Sequence, residues 1–523
     1  MLRSLIALLL LTGVLAPAAA ENVLRIANPG HPASLDPHRI TGVWENRIVG
    51  DMLVGLTTEG PDGSVVPGAA ESWTVSPDGL HYVFRLREHS WSDGEPVAAD
   101  DFVFAFRRMM SGKTTSPYAQ FFWVIENGQA VTAGRLPPDA LGVSAPAPDQ
   151  LEIRLERPTP YFLGLLMHFA AFPVPRHAVE THGNDWTKPG LMPANGAFRL
   201  AARVPNDHVL LERNPRFWEA ASVRLDGVQY FGLEDRDAAL LRFRAGELDV
   251  LRDFPASRTR WLREQMPGMV RTAPYLGLSF LAVNHARPAL QDARVRQALS
   301  LAIDRTTVTH KVLGSGERPA WGLVPPGTAA YPEPAQADWR NDPMDQRRAR
   351  ARELIGAAGF GPRQPLRLSL RYPQSENDRR VAIALQSMWR AIGVDVELER
   401  SETAIHYSAL QQGDFDLGLA SWLAVYDDAQ TFTLLLQTAS GPNNLGGYSD
   451  AEYDRLTAAA ARAGDPGARA ELLRAAEALA VQEQALIPLY HHVSRNLVSP
   501  RVTGWQDNML DVNRSRYLGL SPE

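Results

Sequence analysis

Leu366-Arg367-Leu368-Ser369-Leu370-Arg371-Tyr372 and, further on, Val394-Asp395-Val396-Glu397-Leu398-Glu399 decide the fold. In both, apolar and polar residues alternate, which puts one set on the core face of a strand. Residues 376–391 between them read as a helix, a short helix follows at 403–411, and a third strand runs through Phe415, Leu417 and Leu419. A β-α-β-α-β order buries its apolar faces as a parallel sheet covered by helices, so the class is α/β.

Outward from this unit, Leu80–Leu86 alternates around Tyr82 and Phe84, and Leu151–Leu155 does so on a shorter scale; both read as strands. A helix is expected after the N-cap candidate Asp100, with Phe102, Phe106 and Met109 or Met110 on one face, and another over Asp292–Arg305. Ser449-Asp450-Ala451-Glu452 reads as a capping box, and a further helix covers about 467–484 behind Pro466. No repeat or low-complexity linker interrupts the chain, which argues for domains packed side by side on short hinges.

The composition narrows the function. The 523 residues are 45% apolar and 21% charged, an ordinary globular balance that excludes wholesale disorder and a polytopic membrane protein. At roughly 150 residues per domain the length suits two to four domains. The net charge of −6 gives no pull toward nucleic acid. Zero Cys excludes disulfides, thiolate metal sites, cysteine catalysis and an N-terminal lipid on Cys. Residues 1–20 read as a signal peptide: Arg3, an apolar run Leu5–Leu15, then Pro17-Ala18-Ala19-Ala20 before Glu21. The mature protein is therefore expected free in the periplasm, not as a lipoprotein.

Catalytic signatures are missing. There is no phosphate-binding Gly-rich loop with Lys, no His-Glu-x-x-His helix and no Gly-x-Ser-x-Gly elbow. His491-His492 follows an apolar run and reads as the two faces of a strand, and the pairs Asp100-Asp101 and Asp427-Asp428 read as a cap plus a solvated neighbour. An enzyme has no residues to rest on, and neither metal nor cofactor is expected.

A series of short motifs carries a family likeness. In order they include Ser34-Leu35-Asp36-Pro37, Gly42-Val43-Trp44-Glu45, Pro67-Gly68-Ala69-Ala70-Glu71-Ser72-Trp73 and Trp91-Ser92-Asp93-Gly94-Glu95-Pro96. Asn195-Gly196-Ala197-Phe198, Asn214-Pro215-Arg216-Phe217-Trp218, Asp292-Ala293-Arg294-Val295-Arg296 and Gly413-Asp414-Phe415-Asp416 continue it. With these the chain resembles the extracytoplasmic solute-binding proteins, family 5, of peptide ABC transporters, and is similar to periplasmic oligopeptide-binding proteins.

The resemblance implies a two-lobed periplasmic binding protein fold (class II type) with a hinge and an additional inserted α+β domain. Lobe I would be 21–57, 183–275 and 488–523; the inserted domain 58–182; lobe II 276–487. It implies a monomeric receptor that closes on a small peptide or peptide-like solute and delivers it to a membrane permease. In the family two segments hold the ligand main chain like an added strand. They match Trp44-Glu45-Asn46-Arg47 and Ser421-Trp422-Leu423-Ala424, with Trp422 as a flat wall and Tyr118 reaching in from the inserted domain.

The pattern breaks at the charged anchors. The family Asp that pairs with a peptide's amino terminus matches Val425. Two Arg positions match Leu410 and Leu419, an acid matches Ala282, and a His matches Asp378. Three readings stay open: Asp427 takes the amine, with Glu45 as a further acid; the alignment shifts here; or the ligand is not an ordinary zwitterionic peptide but a blocked peptide or another amphipathic solute. Other cargoes (opine, metal chelate, sugar) and a chaperone or sensor using the same clamp remain alternatives. Because a buried ammonium facing Val425 would cost several kcal/mol, unmodified tri- to pentapeptides are predicted to bind weakly. Calorimetry with submicromolar affinity for them contradicts this.

Overall fold

The computed structural model describes residues 22–521, so the expected signal peptide lies outside the described residues. One mixed sheet runs through the molecule. Its main strands are β1 (Val23–Asn28), β2 (Phe198–Val204), β3 (His208–Arg213), β4 (Gly227–Gly232), β5 (Val250–Arg252), β6 (Val270–Val283), β7 (Leu366–Pro373), β8 (Val394–Ser401), β9 (Leu417–Leu423) and β10 (Leu486–Val498). Their spatial order is β8-β7-β9-β6-β10-β5-β1-β4-β3-β2, with Arg318–Pro319 laid against β10.

The alternation that decides the class has its physical counterpart here. Leu366, Leu368, Leu370 and Tyr372 of β7 are buried, and β7 pairs in parallel with β8 from Leu366↔Val394 and with β9 at Leu370↔Leu417. Helices Glu376–Arg390 and Thr403–Gln411 cross over between them. Trp389 is sealed in that layer and donates its indole N–H to Leu299 O at 3.0 Å. At the other end β1, β4 and β5 are also parallel.

The strand expected through Phe415 starts at Leu417. The helix placed behind Asp100 is capped by Ala98, and it is Asp101 whose carboxylate accepts from Ala98 N–H at 3.0 Å, while Asp100 faces solvent. At Ser449-Asp450 the capping oxygen is that of Asp450, which accepts from Tyr453 N–H at 2.7 Å.

Apolar side chains separate into two large cores. One joins Leu24, Ile26, Ile48 and Met52 with Phe84, Phe102, Phe122 and Trp186; the four-stranded antiparallel sheet of 70–154 shares it. The other runs from Leu276 through Val295, Leu370, Trp389 and Leu417 to Tyr490. Within the sheet, β6 and β10, of 14 and 13 residues, belong to both sides. Val270–Pro274 pairs with Leu497–Val493 beside a smaller cluster in which Val270 and Leu497 pack with Leu251 and Phe254, and Leu278–Ala282 pairs with His491–Leu486 beside the second core.

Between these ladders Tyr275, Leu276 and Gly277 oppose the single residue His492, a bulge that bends the strand pair. A Cβ at Gly277 would lie 2.7 Å from Leu423 Cδ2 and 3.0 Å from His492 Cβ. A side chain there would have to displace Leu423 and press on His492, where the lobes join. Pro488, which has no N–H for the ladder, sits at the second register shift of the same pair. Gly277→Val is therefore predicted to cost about 1–3 kcal/mol in denaturant unfolding, by overpacking this crossing. An unchanged midpoint contradicts it.

Candidate ligand-binding cleft

The carboxyl ends of the parallel strands in an α/β sheet leave a crevice where ligands bind. Here that crevice is a cleft of about 800 Å³, open mouth included. Thr41–Val43 with Asn46 and Arg47 form one wall, and Tyr118 and Met167–Phe169 a second. Tyr275 lies at the hinge, Ala424 and Val425 come from the opposite lobe, and Leu510–Val512 from the C-terminal segment.

Residues 44–47 are helical, which corrects their expected strand-like role: they form the first turn of the Val43–Met52 helix, and the carbonyls of Trp44 and Asn46 accept from Asn28 Nδ2 and Arg514 Nη1. Trp44 turns aside, its indole packed so closely on Gly42 that a Cβ there would overlap it, and tightly on Gly30, where a Cβ would lie 3.3 Å away. Glu45 is 1% exposed, and its carboxylate accepts four backbone N–H groups: Ala33 at 2.9 Å, Ser34 at 3.2 Å, Thr41 at 2.9 Å and Gly42 at 3.0 Å. That saturates both oxygens, so Glu45 holds the loop before the helix and has no lone pair aimed at the cleft. Asn46 and Arg47 do reach it.

Tyr118 lies over His168 and Phe169 and donates its hydroxyl to Thr41 O at 2.8 Å, tying the 58–182 region to the helix entry. Burial drives the His168 ring down to about 3, so it stays neutral.

The opposite wall is the end of β9. Ala424 N–H donates to Leu276 O at 2.8 Å, so by antiparallel alternation the backbone groups of Ser421 and Leu423 point away from β6. His406 takes Leu419 O at 2.9 Å and the Tyr407 hydroxyl meets Ser421 N–H at 3.2 Å. Beyond them Leu423, 44% exposed, offers its backbone at the sheet edge. The Trp422 indole is half-buried against the second core and donates to Thr431 Oγ1 at 3.0 Å. Val425 packs toward the first core, and Tyr426 stacks on Tyr161 with ring centroids 4.7 Å apart.

Asp427 turns to the 325–331 loop, where it accepts from Ala329 N–H at 2.8 Å; burial, then neighbouring Asp428, raises its carboxyl above the usual range. It does not line the cleft. Leu410, Leu419 and Ala282 are core residues, and Asp378 bonds Ser375 Oγ at 2.5 Å.

The charged floor has no local sequence signal. Asp511 binds Arg47 at 3.1 Å, Arg252 at 3.3 Å and Asn496 at 2.8 Å. Glu59 holds Arg514 at 2.7 Å, 455 positions away. Burial, then Asp511, pushes the Tyr275 phenol up to about 12. Ser279 Oγ meets His492 Nε2 at 2.9 Å and Ser421 Oγ at 2.8 Å, but Ser279 is 1% exposed, so no substrate carbonyl can reach it. His491 and His492 do lie on alternate strand faces. Among the described residues no cluster of three or more His, Asp and Glu could hold a metal, and no helix is long and apolar enough to cross a membrane.

The sequence profile of the bacterial extracellular solute-binding proteins, family 5 (middle), matches residues 64–444. The chain belongs to this family. It is 38% identical to the periplasmic murein peptide-binding protein MppA of Escherichia coli over 93% of this chain and 91% of that one. It is 36% identical to the probable deoxycholate-binding periplasmic protein YgiS of Escherichia coli, over 94% and 91%. A solved structure of the MppA murein tripeptide binding protein in an unliganded open form superposes with TM-score 0.85, at 36% identity, over 95% and 97% of the chains. The Haemophilus influenzae OppA complex with RPPGFSPFR gives 0.79, at 32% identity, over 96% and 100%. Members of this family are binding proteins rather than enzymes, and the two-lobed architecture expected from the motifs is the one these structures share.

Burial, then Arg495, holds the His492 ring at about 4 against an ordinary 6.5. The unfolded chain thus takes this proton first as pH falls. Stability tied to neutral His492 is whole above pH 6.5 and lost progressively as pH falls through about 4. The His492→Gln variant is predicted to lose less of its melting temperature over that interval than the parent; equal losses contradict the assignment.

Proposed function

We propose that this chain is the periplasmic receptor of an ABC importer, capturing a peptide or peptide-like solute by closing its lobes and handing it to the membrane permease. The observation that carries this reading is the cleft itself: its walls come from both lobes, the Ala424–Val425 end of β9 among them, and two strands join the lobes through the sheet. A ligand that touches both walls stabilises the closed arrangement and so shifts the population toward it. The lobes are assigned as 21–57 with 183–275 and 488–523, and 276–487, with 58–182 inserted. The receptor acts as a monomer without catalysis, cofactor or nucleic acid, and without Cys it is not lipid-anchored.

The ligand main chain pairs with the β9 end at Leu423 rather than with residues 44–47, the Ser421 N–H being already given to the Tyr407 hydroxyl. Thr41 and Gly42, just before the helix, already spend their N–H groups on Glu45 and the Thr41 carbonyl on Tyr118. Val425 offers nothing to an ammonium, and Glu45, Glu59, Asp511 and Asp427 are engaged elsewhere. The cargo is therefore a peptide blocked at its amino end or another amphipathic solute. MppA and OppA are named for peptides and YgiS for deoxycholate, which spans that choice.

The test is native mass spectrometry of protein taken from the periplasm, then denaturation and identification of what leaves. A single class of small solute is expected, and adding it back should change Trp fluorescence. Protein that carries nothing and responds to no peptide or amphiphile, or that turns a peptide over, overturns the reading.

A further inference from the structure

Resting on that receptor reading, we propose that Arg47 is the anchor for an anionic group on the ligand, and that Asp511 stands in for that group while the cleft is empty. The ligand class is an amphipathic carboxylate: one anionic end and an apolar body.

The three guanidinium groups at the cleft floor are not held alike. Three guanidinium groups, Arg47, Arg252 and Arg514, share two carboxylates, Asp511 and Glu59. A third acid, Asp51, lies under them, 3% exposed; burial raises its carboxyl, and it is closed off by Tyr230 Oη at 2.8 Å and Ser515 N–H at 2.9 Å. Arg514 is fixed by both oxygens of Glu59 and by Asn46 O. Arg252 is fixed by Asn513 Oδ1 at 2.9 Å and lies 4.5 Å over the Trp505 ring. Arg47 is held otherwise, through Asp511 Oδ2 at 3.1 Å and Asn28 Oδ1 at 3.3 Å, and it lines the cleft.

Asp511 can give Arg47 up. Its Oδ1 accepts from Arg252 at 3.3 Å and from Asn496 at 2.8 Å, so without Arg47 the carboxylate still has a cation and a hydrogen bond. Its backbone sits at φ +52°, a left-handed conformation that Asp accepts more readily than most residues with a side chain. A ligand carboxylate arriving at Arg47 replaces one ion pair by another and adds burial of its body against Val43, Phe169, Val425 and Leu510, which line the same space. A cationic ligand would meet three guanidinium groups and no uncommitted acid.

The test is calorimetry with two carboxylate probes, an N-acetylated tripeptide with a free C-terminus and deoxycholate, each against its uncharged amide. The two pairs separate a blocked peptide from a steroid acid as the source of the anion. In the parent protein at least one acid should bind about ten- to a hundredfold more tightly than its amide, the range of a charge-assisted contact. In Arg47→Gln that preference should fall to within about threefold, with cooperative melting retained because Asp511 keeps Arg252. In Asp511→Asn, which frees Arg47, the acid should bind several-fold more tightly and the amide as before. Equal binding of acid and amide, a preference that survives Arg47→Gln, or no binding of either acid overturns the anchor. If an amide or a zwitterionic peptide still changes Trp fluorescence, the receptor reading stands and only the anchor falls; if no solute does, both fall.

Discussion

The structure depends on one constraint: a single sheet passes from one hydrophobic core to the other through two strands, β6 and β10. Their ladder is interrupted most widely where Tyr275, Leu276 and Gly277 face His492, with a smaller register shift next to it at Ser279–Phe280. Within each core, close packing resists deformation. At the bulge a few backbone dihedrals can change without breaking either core. Motion is thereby confined to the crossing, and the cleft walls on either side can move as units.

The crossing also sets what the cleft can recognise. The opposite wall is the free end of β9, whose inner edge is consumed by β6 and whose outer edge ends at Leu423. The near wall is a helix entry whose backbone donors are spent on Glu45. Recognition therefore divides: main-chain pairing on one lobe, and side-chain chemistry, including Tyr118 and Arg47, on the other. Buried His168 and His492 are kept neutral and add no charge, so the ion pairs around Asp511 and Glu59 dominate the electrostatics.

Much of this was legible in the chain. The alternations at 366–372 and 394–399 are strict because both strands pack one face on a helix layer, and the βαβ order then fixes a parallel sheet. The motif series gave the family. The assignment of 44–47 as strand-like failed because a helix begins at Val43, its first turn held by Glu45, whose carboxylate takes the Gly42 N–H as in half of a capping box; Gly at the N-cap leaves no Ser or Thr to mark that start in the sequence. The cleft floor left no such signal. Arg47 and Asp511 are 464 positions apart and Glu59 and Arg514 are 455 apart; nothing local marks either pair, because only tertiary folding brings them together.

The central claim is that the two lobes swing about the β6–β10 crossing. Leu241 and Ile405 lie on opposite lobes, each 62% exposed, and the chain has no native Cys, so Leu241→Cys with Ile405→Cys can carry a pair of spin labels and no others. Pulsed dipolar spectroscopy should give a broad distance distribution for the empty protein. It should collapse to a narrower, shifted one when the co-purified solute is restored. An identical distribution in the empty and the saturated protein would contradict the account.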